Sequence, residues 1–62
     1  MNKEFFEGNW EIVKGKLKQQ WGKLTDNDLK EIEGDTQELY GKLKKHYGYT
    51  KEEVDRQLNQ LH

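Results

Sequence analysis

GNWEIVKGKLKQQWG (Gly8–Gly22) and GDTQELYGKLKKHYG (Gly34–Gly48) are two copies of one pattern, set 26 residues apart. Gly8 matches Gly34, the string GKLK at 15–18 returns at 41–44, and Gly22 matches Gly48. Trp21 is answered by the aromatic Tyr47; after a one-residue deletion Thr25 falls on Thr50 and Leu29 on Val54. Each half reads as a helix with an aromatic end, a glycine turn, a threonine cap and a second helix. One αα-hairpin cannot bury its own apolar stripe, but two packed together can. The repeat therefore predicts an all-α fold of four short helices, arranged as two similar hairpins about a pseudo-twofold axis. They form a single domain over 1–62, with repeat units 8–33 and 34–61.

Working outward, Phe6, Trp10, Val13, Leu17 and Trp21 follow at steps of 4, 3, 4 and 4, which keeps them on one helical face. Either Asn9 caps this first helix or the helix begins near Asn2 and runs through Gly8. The second helix covers about 26–33: Thr25 caps it, Asp28 stands three residues on, and Leu24 and Leu29 occupy the positions of a hydrophobic staple. Gly34 ends it. The third runs from about Asp35 to Tyr47, with Leu39, Tyr40, Leu43 and Tyr47 on its apolar face. Thr50 and Glu53 make a capping box for the fourth, where Val54, Leu58 and Leu61 point inward. Gly15 and Gly41 sit inside helices, where each costs about 1 kcal/mol relative to Ala. The expected reason is close approach of the first and third helices.

Composition narrows the function. A 62-residue chain supports one small core, and 37% charged residues with a net charge of −1 suit a solvated helical surface. No stretch approaches the roughly 20 apolar residues of a membrane span, nor the apolar run of a signal peptide, so a cytoplasmic protein is expected. There is no cysteine and no serine, and no glycine-rich phosphate loop. No carboxylate sits in a visibly apolar surround that would shift its pKa. His46 and His62 are too few and too far apart for structural zinc. The expectations are no enzyme activity, no cofactor and no metal.

The aromatic residues Trp10, Trp21, Tyr40 and Tyr47 fit the inward stripes; Phe5 and Tyr49 do not, and are candidates for a small contact patch. Lys14, Lys16, Lys18 and Lys23 form one basic stretch and Lys42, Lys44, Lys45 and Lys51 another, with six acids between them from Asp26 to Glu38. Bases gather toward helix C-termini and acids at helix N-termini, as the helix dipole favours. The alternative is weak nucleic-acid binding through the lysine clusters. The intervening acids argue against specific binding. The candidate interaction surface is Phe5, Tyr49, Lys42, Lys44 and Lys45. Its expected occupant is an unidentified protein, with the chain a monomer or weakly self-associating and away from membranes.

Gly8-Asn9-Trp10, Lys14-Gly15-Lys16, the run from Gln20 to Thr25 (QWGKLT), Asp28, Ile32-Glu33-Gly34, Gly41-Lys42 and Tyr47-Gly48 resemble the CsbD-like family of small bacterial stress proteins. The likeness covers nearly the whole chain. It implies two packed helical hairpins, a general stress response in the bacterial cytosol and high abundance under stress. It brings no catalytic residue or ligand with it. The departure is Phe5–Phe6, where many relatives are polar.

Overall fold

Helices form where the caps and glycines bracket them. The computed structural model describes residues 3–61, with side chains from Phe5 onward. A single turn, α1 (Lys3–Phe6), precedes four longer helices: α2 (Trp10–Gln20), α3 (Asp26–Gly34), α4 (Glu38–Tyr47) and α5 (Lys51–Leu61). The described residues contain no strand, so the chain is all-α. No helix among them is long and apolar enough to cross a membrane.

Both readings of the first helix are partly right. A helical turn does precede Gly8, but Gly8 adopts φ 128°, a conformation open to glycine and strained for other residues, and this breaks the run. Asn9 then caps α2, its side chain accepting from the Glu11 N–H at 2.8 Å. Gly48 (φ 76°), the other glycine with positive φ among the described residues, closes α4 as a left-handed cap, its N–H bonding the Lys44 carbonyl. The third predicted helix starts later than Asp35. The Asp35 side chain takes the Gln37 N–H at 3.0 Å, and the N–H groups of Glu38, Leu39 and Tyr40 bond the carbonyls three residues back rather than four.

The core joins every helix. Leu17, Ile32, Leu39, Leu43, Val54 and Leu58 have no exposure, and Phe5, Val13, Trp21, Leu24 and Leu29 complete it. Burying such a side chain is worth about 1.5–3 kcal/mol each. Of the residues the repeat assigns to one core, Leu17, Trp21, Leu29, Leu43 and Val54 are buried; Tyr47 packs against them half-buried. Trp21 ends α2, and its indole N–H donates to Gln57 Oε1 of α5 at 3.0 Å, so the largest core residue also satisfies its polar atom.

Gly15 and Gly41 do not mark a close approach of helices. A Cβ at either position would meet no atom within 4 Å. Both lie on exposed helix faces, so their small size serves no packing there. The helix pairs with the most extensive contact are α1–α2, α3–α4 and α4–α5.

Candidate functional site

The densest set of chemistry-bearing groups lies where α3 packs on α4. It begins with a local device: Thr25 stands in extended backbone just before α3, and its hydroxyl accepts the Asp28 N–H at 3.0 Å. Asp28 Oδ2 reaches back to accept the Thr25 N–H, also at 3.0 Å, which completes the capping box. Asp28 is only 6% exposed because the neighbouring Leu29 and Ile32 pull this face of α3 into the core.

Helix α4 supplies the counter-charges. His46 Nε2 lies 2.8 Å from Asp28 Oδ2, and Lys42 Nζ lies 3.7 Å from Oδ1 while also pairing with Glu31. His46 and Lys42 are four apart, one helical turn, so both face α3. The Thr25 backbone N–H, helped by His46, holds the Asp28 carboxyl at about 2 even though burial pushes it up. Lys42 is raised, first by its bond to Glu31. The expectation that no carboxylate sits in an apolar surround that would shift its pKa is corrected at Asp28, which is buried, although its hydrogen bonds and not its burial set the direction. Sequence reasoning saw the cap and missed the burial, because the apolar surround is assembled by tertiary packing.

An aromatic edge adjoins this cluster. Tyr47 and Tyr49 stack with ring centroids 5.1 Å apart, 6° from parallel, and Lys23 Nζ sits 5.0 Å from the Tyr47 ring centroid. The Tyr47 hydroxyl accepts the Lys23 N–H at 3.1 Å. On α4, the Tyr40 hydroxyl bonds Asp55 of α5, and its pKa is raised by burial and then by that carboxylate.

The predicted surface residues do not share one fate. Phe5 is corrected: it is 7% exposed and part of the core, because α1 folds back onto α2. Its ring packs edge-on against Phe6. Lys42 is engaged by Glu31 and Asp28, and Tyr49 is half-buried on Tyr47. Lys44 and Lys45 are exposed. The reading also passed over Ile12, an aliphatic residue off the apolar stripe, which is 61% exposed.

The cluster's chemistry is that of a fastening. A carboxylate–imidazole pair can orient a general base, but a nucleophilic triad needs a hydroxyl or thiol as its third member. The chain has no Ser or Cys, and the Thr25 hydroxyl is committed to the cap. Among the described residues no three His, Cys, Asp or Glu side chains converge as a metal site requires. What the arrangement does accomplish is to tie the start of α3 to the last turns of α4.

Comparison with known proteins finds bacterial relatives that match most of the chain. The chain is 51% identical over 57 residues to a UPF0337 protein of Protochlamydia amoebophila, covering 92% of this chain and 86% of the relative. It is 48% identical over 58 residues to the UPF0337 protein YjbJ of Salmonella typhimurium, covering 94% and 83%. The same identity and length relate it to YjbJ of Escherichia coli K12, covering 94% and 84%. No solved structure gives a significant match. A family model described as CsbD-like matches residues 4–56, and on that match and these relatives the chain belongs to the CsbD-like family.

Proposed function

We propose that this chain is a non-catalytic cytoplasmic stress-response protein that acts through protein contacts or through its abundance. The observation that supports this best is the Asp28–His46–Lys42–Glu31 cluster. Among the described residues it is the place where a buried carboxylate and an imidazole meet, and its members are bonded to one another. The stress association follows from the family resemblance. The lysines favour the same reading. Lys18 pairs with Asp26 at 3.0 Å and Lys42 with Glu31, so one lysine of each basic stretch is engaged by an acid of the intervening block. Phosphate binding needs several free bases on one face and weakens steeply with salt.

The test is capture of the tagged protein from stressed cells, with and without nuclease, beside titration of labelled duplex and single-stranded DNA at about 150 mM salt. The expected result is nuclease-resistant capture and no DNA binding tighter than about 1 μM. A tighter DNA complex, lost when the exposed Lys44 and Lys45 become Gln, would overturn the reading.

A further inference from the structure

Ile12 is the large hydrophobic side chain that the fold leaves open, 61% exposed among described residues whose other aliphatic groups are packed. A lone surface isoleucine means little. This one borders an open groove of about 270 Å³ between α1 and the start of α2, with Phe5 and Val13 as its buried floor. Gly8, at φ 128°, turns the chain so that α1 lies back on α2 and the groove forms.

The groove's charges are arranged antisymmetrically. Lys16 lies one helical turn beyond Ile12, about 6 Å along the axis. Glu7 precedes the Asn9 cap of α2, and so falls toward the N-terminal end of that helix from Ile12. Both line the groove and both are exposed. A twofold contact between identical copies requires a patch that complements itself. An apolar centre with an acid at one end and a base at the other meets that requirement, because the twofold rotation brings each acid onto the other copy's base.

We propose that this groove is a homotypic docking surface. Two copies pair about a twofold axis at their Ile12 side chains, with Glu7 of each copy against Lys16 of the other. The contact is weak by its size. If each copy covers a tenth of its 4165 Å² surface, about 800 Å² is buried in all, below the roughly 1,200 Å² of stable complexes. Pairing therefore operates at high protein concentration. It is independent of the function proposed above, whose partners and DNA titration are read separately.

Sedimentation analysis of the full chain from about 10 μM to about 2 mM tests it. The wild type is expected to move from monomer mass toward dimer mass over that range. Ile12→Glu is expected to stay monomeric while keeping its helical circular dichroism. Glu7→Lys should weaken pairing about tenfold or more, and Glu7→Lys combined with Lys16→Glu should restore it. A wild type that stays monomeric throughout, an Ile12→Glu variant that associates equally, or a double reversal that fails to recover pairing would each overturn the proposal.

Discussion

Lys16 and Lys42 are the same residue of the repeated GKLK string, and they end in opposite surroundings. Lys16 is exposed at the rim of an open groove, whereas Lys42 pairs with Glu31 beside the buried Asp28. The two threonine caps part in the same way. Thr25 and Thr50 each accept the N–H three residues on, at 3.0 and 3.2 Å. The carboxylate that follows Thr25 is buried and bonded to another helix; Glu53, which follows Thr50, turns to Arg56 in its own helix at 3.0 Å. The box predicted at Thr50 and Glu53 is thus only half formed, while the one at Thr25 is complete and tied to another helix. The difference comes from positions where the repeat is not identical: His46 stands where the first copy has Gln20, and Asp28 where the second has Glu53.

The largest effect should come from breaking the loaded cap. Asp28→Ala removes the acceptor for the Thr25 N–H and leaves His46 without its buried carboxylate, while Lys42 keeps Glu31. A lost cap and unpaired half-buried donors together cost about 2–3 kcal/mol. Glu53→Ala, at the partly exposed cap, should cost about 0.5 kcal/mol or less, since it loses a surface pair. Urea unfolding of both variants measures the gap. Equal losses would mean that the two caps carry the same load.

Acid should expose the same asymmetry. Asp28 sits at about 2 in the folded chain against an ordinary 3.8. A carboxylate lowered by folding contributes stability above its unfolded value and loses it as pH falls through the folded one. The contribution is therefore complete above about pH 5 and fades between about pH 4 and pH 2. Its size is about 1–2 kcal/mol, after allowing for solvent at the open side of the cluster. Comparing wild type with Asp28→Asn by urea unfolding at pH 6 and pH 2 isolates it. The wild type's advantage should shrink by that amount at low pH; an advantage independent of pH would place the asymmetry in shape rather than charge.

The helices and the aliphatic core were legible because they rest on local signals. Leu17 and Leu43 fall at helical spacing, and Thr25 and Thr50 announce helix starts; these are properties of a few consecutive residues. The candidate site was legible only in part. That Asp28 and His46, 18 residues apart, meet depends on how α3 lies against α4, which no local pattern encodes. Phe5 misled for the same reason: its burial requires α1 to turn back at Gly8, and the residues of a single helical turn carry too little periodicity to show that. Asp35 delayed α4 by a side-chain bond to Gln37 that competes with the helical ladder.

The smallest effect concerns the pair that the two halves share without difference. Gly15 and Gly41 both lie in exposed helix interiors with open space where a Cβ would stand. A glycine there gives up more backbone freedom on folding than alanine does, and gains no contact for it. Gly15→Ala and Gly41→Ala should each stabilise the chain by about 0.5–1 kcal/mol, raising the melting temperature by a few degrees each. Because the two sites share no packing, the double variant should show the sum. Gly48→Ala supplies the contrast: there φ is 76°, so a side chain is strained despite the open space, and stability should fall by about 1 kcal/mol. Thermal melts of the four variants decide the matter. Destabilisation by Gly15→Ala or Gly41→Ala alone would mean that one half packs more closely on its neighbour than the other, and the two copies of GKLK would then differ at their glycines as they already do at their first lysines.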